Sequence, residues 1–208
     1  MPRHRHDHSY LSLVISGGYE ETGDRGRLRV EAGDILLHGA YDAHLNRFAA
    51  RDAEILNITL PEGYEPAAPL MRTRDIDAVV RLAARSPAEA AALLLAEAEV
   101  AHGRDGDWPE RLATALSDDP HLRLADWAEA NGLATATVSR GFKQVFGVSP
   151  IAFRAQVRAR QAWRRLRTGA SALADLAFEL GFADQAHMTR AVRAMTGLPP
   201  SAWRPKVK

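Results

Sequence analysis

The chain has no cysteine. That excludes disulfides and every thiolate zinc site, including the cysteine-containing zinc fingers. It also fits a reducing compartment. No apolar run reaches membrane-spanning length. The longest such stretch, 88–98, is mostly alanine and leucine and is interrupted by Glu89 and Glu97. The basic start, MPRHRHDHSY, lacks the apolar core and cleavage site of a secretory signal after it. A cytoplasmic protein with no membrane partner is the expectation.

What is present is enough for a core. Of 208 residues, 46% are apolar and 25% charged, which suits one domain or two small ones. The formal net charge of +1 conceals an asymmetry. Residues 121–208 carry 14 basic and 5 acidic side chains, a net of +9, while residues 1–120 carry 13 and 21, a net of −8. A split of this kind indicates two domains with different partners, the basic one able to face a polyanion. Its plain alternative is a solvated positive surface.

Hydrophobic patterning divides the chain in the same way. Tyr10–Ile15 is a β-rich run ended by Gly17 and Gly18, and Arg27–Val30, Ile35–Leu37 and Ile55–Leu60 are further short runs between turn residues. Residues 1–64 therefore read as a small antiparallel sandwich or barrel. Its size is thin for a closed one, so its edges need cover from a helix or a neighbour. Residues 61–74 hold three prolines and read as a linker. A helical pattern over 76–85, then Ser86 at an N-cap and Pro87 at N1 of a helix to about 101, make 75–101 a helical pair. The polar stretch 102–107 is the expected domain boundary. From there to 206 the pattern is helical throughout, with segments at 109–117, 122–130, 135–146, 150–167, 171–179 and 184–195.

The helical half contains one pattern twice. LADWAEANGLATATVSRGFKQVFGVSPIAFR runs from Leu124 to Arg154, and LADLAFELGFADQAHMTRAVRAMTGLPPSAWR from Leu173 to Arg204. In the first copy Leu124, Ala125, Ala128, Leu133, Val138, Phe142 and Val145 form the expected inward set. Thr135, Ala136, Ser139, Arg140 and Lys143 are left outward. In the second, Leu173, Ala177, Phe182, Met188 and Val192 face in, and Asp184, Gln185, His187, Arg190 and Arg193 lie on the open side. Phe142 and Trp203 are expected to be buried. Each copy reads as a helix-turn-helix with a second helix for the major groove. The units are 109–147 and 171–197, joined by a helix over 150–167. One short helix pair is a common motif, but two basic copies in tandem are far more specific.

These residues resemble the AraC/XylS family of transcription regulators. The match is carried by Gly181-Phe182-Ala183-Asp184-Gln185-Ala186-His187-Met188-Thr189-Arg190 with Gly197-Leu198-Pro199-Pro200-Ser201-Ala202-Trp203-Arg204. The first copy adds Ser139-Arg140, Phe142-Lys143, Gly147-Val148-Ser149-Pro150 and Arg158 in the connecting helix. The chain departs from the family at Met188 and Val192, where phenylalanine is usual, and at Ala134, where a serine often caps the helix and Thr135 is a partial substitute. The resemblance implies a bacterial regulator, not an enzyme, with no catalytic residues. It implies double-stranded DNA as partner, recognition helices in successive major grooves roughly 34 Å apart, a homodimer, and RNA polymerase as a further partner. The N-terminal half is more loosely similar to the family's cupin-like effector domain, through His4-Arg5-His6, the strand Tyr10–Gly17, and Gly33-Asp34 followed by His38 or His44. Family members are commonly longer, which implies a trimmed barrel or a missing strand.

The resemblance also implies a small effector. The expected pocket residues are Tyr10, Leu13, Leu37, Tyr41 and His44. Strand period lets only one of the sets Tyr10/Ser12 and Leu11/Leu13 face inward and leaves the choice open. The acidic balance favours a neutral or cationic organic molecule. No cofactor is expected. The alternative is a metal sensor or metal enzyme using Fe, Mn, Ni or Zn on His6, His8 and His44, since five of the eight histidines fall in the first 44 residues. Against it, no glutamate stands four or five residues after the histidine pairs, and His4 and His6 sit at a terminus, where disorder is common. A protein-binding adaptor using the same fold is the other alternative. Ala83, Ala90, Leu94 and Ala98 form a stripe that either makes a dimer or covers its own sheet.

Overall fold

The computed structural model describes residues 1–48, 53–101, 106–169 and 171–205. Most of the expected boundary linker, 102–105, lies outside them. The chain divides into two compact units, Met1–Gly106 and Asp107–Lys208.

In the N-terminal unit the described strands form two antiparallel sheets. One holds β1 (His4–Arg5), β6 (Ala43–Phe48), β3 (Gly18–Gly23) and β4 (Gly26–Glu31), in that order. The other runs β7 (Glu54–Thr59), β2 (Tyr10–Ser16), β5 (Asp34–His38), β8 (Leu70–Arg72), β9 (Glu99–Val100). The sheets are not closed into a barrel, so of the two expected forms it is the sandwich that is observed. The second sheet is covered on both faces. Leu11, Leu13, Ile35, Leu37 and Ile58 pack against α1 (Ile76–Ala83) and α2 (Pro87–Glu97), while Val14 and Leu36 pack with Tyr19 and Val30 of the facing sheet. Registers Tyr10↔His38 and Ser12↔Leu36 put those residues on the inter-sheet side. The two-residue period thus resolves the open question: Tyr10 and Ser12 face inward between the sheets.

Three expectations change here. The stretch 61–74 contains β8, which pairs Leu70 with Leu36 and Ile35 with Met71. Three residues directly after Pro69 are too few to show a period. The helix expected to reach residue 101 ends at Glu97, and the chain returns to the sheet as β9. The Ala/Leu stripe is consumed internally: Ala83, Ala90 and Leu94 are buried in the core beneath β2, β5 and β7. Leu11, Leu13, Ile35, Leu37 and Ile58 on the outer face of that sheet need this cover, so the stripe offers no face for a second chain.

In the C-terminal unit α3 (Trp108–Asp118), α4 (Leu124–Ala130) and α5 (Thr135–Phe146) precede the long α6 (Pro150–Thr168). Then follow α7 (Leu173–Glu179), α8 (Gln185–Thr196) and the short α9 (Pro200–Trp203). There are two cores, one per repeat copy, and α6 belongs to both. Phe153 and Val157 of its first half pack with Leu112, Leu116, Val138, Phe142 and Phe146. Ala162 and Leu166 of its second half pack with Leu176, Phe182, Met188 and Val192. Phe142 is fully buried and stacks on Phe146 at 4.4 Å between ring centroids, with Phe153 edge-on at 5.3 Å. The inward register shifts slightly from the expected one. Phe146, one turn after Phe142, takes the buried place given to Val145, and Ala125 is exposed. Trp203 is half-buried, because it ends a four-residue helix at the rim, where its indole N–H donates to Thr196 Oγ1 at 3.1 Å. Gly141, inside α5, is explained by a close approach: a Cβ there would lie 2.6 Å from the Trp108 ring.

Candidate functional site

The two second helices of the repeat, α5 and α8, present their polar faces to solvent. Thr135, Ala136, Arg140 and Lys143 on α5 are exposed and Ser139 is half-buried. On α8, Gln185, His187, Arg190 and Arg193 are exposed, as is Asp184 at its start. Both helices end on a left-handed glycine, Gly147 and Gly197. Their starts differ. Asp184 accepts from the His187 backbone N–H at 2.6 Å, satisfying one of the orphan donors of the first turn. Ala134 occupies the same place before α5 and makes no side-chain cap. Thr135 is the first residue of that helix and does not substitute for it. The His187 ring lies against the turn: it meets Phe182 edge-on at 5.3 Å, and its Nδ1 accepts from the Ala183 N–H at 3.5 Å. Its exposed edge, rather than a freely extended side chain, is what it offers to a partner.

A family model described as a helix-turn-helix domain matches residues 127–206. The virulence regulon transcriptional activator VirF of Yersinia enterocolitica is 29% identical over 102 residues, covering 48% of this chain and 38% of that protein. A putative AraC-like transcription regulator of Streptomyces lividans is 29% identical over 93 residues, covering 44% and 31%. The C-terminal unit contains a helix-turn-helix domain over 127–206, and its sequence is similar to AraC-like regulators. The chain spans well under two thirds of the length of these relatives, 38% of the first. Among solved structures, ToxT from Vibrio cholerae aligns over 96% of this chain and 90% of its own at 11% identity, with a TM-score of 0.46.

Within the helix-turn-helix domain the arginines of α6 are mostly engaged. Arg154 donates to the Leu122 carbonyl at 2.5 Å and Arg158 to the Gly181 carbonyl at 2.7 Å. Arg165 pairs with Glu179 at 2.6 Å, Arg167 lies over the Trp163 ring at 4.7 Å, and Arg160 is buried. Arg158 is therefore placed differently from the other residues singled out in the sequence. It faces inward, half-buried, and fixes the turn of the second copy to the connecting helix. Gly181 has φ +70°, and a Cβ on it would lie 2.9 Å from the Pro120 carbonyl as well as from the Arg158 guanidinium, so a side chain there is disfavoured by both backbone conformation and space.

The N-terminal unit holds a cavity of about 350 Å³ between its sheets. Tyr10 and His44 line it. Leu13 and Leu37 are turned to α1 and α2 and belong to the core, and Tyr41 is buried in the turn before β6 with its N–H on the His6 carbonyl at 2.7 Å. Three residues not named for this pocket, His4, Glu21 and His38, gather with His44. Glu21 and His38 are buried, with His38 Nδ1 3.6 Å from Glu21 Oε1 and its ring stacked on Tyr10 at 4.3 Å. The Asn46 amide donates to the other Glu21 oxygen at 3.2 Å. Burial pushes the Glu21 carboxyl up to about 8, with Asp42 adding to the effect. Burial holds His38 down to about 3 and His44 down to about 4, with neighbouring imidazoles adding to both.

These shifts predict opposite pH limbs for the metal-free N-terminal unit. The two histidines bind protons more readily unfolded than folded, so their contribution is lost as pH falls from about 6.5 toward 4 and below. Glu21 binds its proton more tightly when folded, so its contribution is complete below about 4.5 and is lost as pH rises through about 8. Thermal unfolding followed from pH 4 to 9 with chelator present should therefore show a maximum near pH 6–7 for this unit. In Glu21→Gln the alkaline decline should flatten and the acid limb persist; a decline unchanged by that substitution contradicts the assignment.

Among the described residues no helix is long and apolar enough to cross a membrane.

Proposed function

We propose that the chain is a sequence-specific regulator of transcription that reads duplex DNA through α5 and α8. One observation carries the reading: two homologous helix-turn-helix copies share a central helix and each leaves a polar, basic helix face in solvent. Thr135, Ala136 and Ser139 on α5 and Gln185 and His187 on α8 are the proposed base-edge contacts. Arg140, Lys143, Arg190 and Arg193 are the proposed phosphate contacts, which position the domain without reading sequence. Arg158 acts on DNA only by setting the place of the second copy.

The same proposal gives residues 1–101 the control of this activity by a small effector in the inter-sheet cavity, reached by Tyr10 and His44. Homodimerisation and contact with RNA polymerase complete it. The dimer would use a surface other than the Ala/Leu stripe.

Gln185 tests the readout. Glutamine pairs bidentately with adenine, a contact worth about 1–3 kcal/mol of discrimination. Gln185→Ala should relax base preference at one or two adjacent positions of a bound sequence, as measured by competition among single-base variants. Uniformly weaker binding with an unchanged preference profile would place Gln185 on a phosphate and refute the assignment.

A further inference from the structure

We propose that the N-terminal unit binds one divalent first-row transition-metal ion through the imidazoles of His4, His6 and His44, at the wall of the inter-sheet cavity. This deepens the reading of that cavity as a ligand site. It is tested by metal binding itself, so failure to bind DNA or an organic effector leaves it standing.

The backbone brings the three rings together. His4 lies directly opposite His44 in the β1–β6 pairing, which puts both on one face of the sheet. Their ring centroids are 4.3 Å apart, and His6 is 5.2 Å from His4 and 5.7 Å from His44. One ligand atom from each lies within 4.8 Å of the others. Nitrogens bound to one zinc ion at about 2.0 Å are about 3.3 Å apart, so small side-chain rotations close the set. The chain start is held rather than loose. Arg3 makes a buried ion pair with Asp24, and the Asn46 N–H donates to the Met1 carbonyl at 3.2 Å.

Hydrogen bonding fixes the tautomer of His4. His4 Nδ1 is 2.8 Å from the Pro2 carbonyl and must donate to it, so His4 Nε2 carries the lone pair. His44 Nε2 is 3.3 Å from the Tyr10 hydroxyl, a long contact that an ion can displace. Three imidazoles without a carboxylate suit zinc, nickel, copper or iron and disfavour magnesium and calcium. All three histidines line the cavity, so open coordination positions face a space that can hold a water or a small ligand. Glu21 and His38 form a second possible set with His44. That set is fully buried, and one oxygen of its carboxylate takes the Asn46 amide.

The test uses the full chain, free of any polyhistidine tag and stripped with chelator. Calorimetry with Zn²⁺ and visible absorption with Co²⁺ should each show one equivalent bound, and millimolar Mg²⁺ should not compete. His4→Ala and His6→Ala should each weaken Zn²⁺ binding at least tenfold while retaining the folded circular dichroism spectrum. His8→Ala should bind as the parent does. Because His44 is buried, its variant is not needed for the decision. Absence of Zn²⁺ and Co²⁺ binding overturns the proposal. So does parental affinity in both His4→Ala and His6→Ala, including the case where Glu21→Gln or His38→Ala abolishes binding, which would put the ion in the buried set.

Discussion

Phe142→Ala is expected to destabilise the C-terminal unit by about 3–5 kcal/mol, the usual cost of removing a fully buried large aromatic. The ring is central to the first repeat core. It stacks on Phe146, meets Phe153 of α6 edge-on, and belongs to the same cluster as Leu112 and Leu116 of α3. Its removal leaves a cavity that the rigid helix pair closes poorly, and small domains hold only about 5–15 kcal/mol in total. Because α6 serves both cores, the loss should spread to the second copy rather than stay local. Denaturant unfolding followed by tryptophan fluorescence reads it, since Trp108 and Trp127 border the first core and Trp203 borders the second. A midpoint unchanged from the parent would contradict the packing described for α5.

The second large effect is on salt dependence. Four exposed cations, Arg140, Lys143, Arg190 and Arg193, stand on the two second helices. If all four meet phosphate, the logarithm of affinity for random duplex should fall against log salt with a slope of about −3.6, a loss of roughly 100-fold between 50 and 200 mM. The six arginines of α6 would suggest a far steeper slope if counted from sequence alone. Arg154, Arg158, Arg165 and Arg167 are held by a carbonyl, a second carbonyl, Glu179 and the Trp163 ring, and Arg160 is buried. Arg193→Ala should therefore reduce the slope by about one. Arg158→Ala should act on stability and leave the slope nearly as it was. Fluorescence anisotropy over a salt series measures both, and a slope near zero would remove DNA from the account.

The C-terminal half was legible because its signals are local and repeated. Leu-Ala-Asp, a turn glycine, a basic helix and a second glycine recur with nearly constant spacing, and each recurrence checks the other. What sequence spacing missed there was which arginines are free, since Arg158 is engaged by a turn 23 residues away. The N-terminal half was legible in its apolar strands and not in its site. No carboxylate stands four or five residues after the His-x-His pair. Glu21 instead comes from β3, one strand over from β6, where Tyr19 and Glu21 alternate inward. That strand reads Gly-Tyr-Glu-Glu-Thr-Gly, with too few β-formers to show itself. His4 is near the terminus in sequence, yet its pairing with His44 is a tertiary fact that no local pattern carries. The same holds for the Ala/Leu stripe, whose partner is the outer face of its own sheet.

The central claim is that two helix-turn-helix copies joined by α6 read duplex DNA together. Selection of bound sequences from a random duplex pool by the full chain tests it most directly. The account predicts enrichment of two short conserved segments separated by about one helical turn, roughly 10 base pairs centre to centre. A pool that stays random, or one that enriches a single segment unaffected by substitutions on α8, would contradict it.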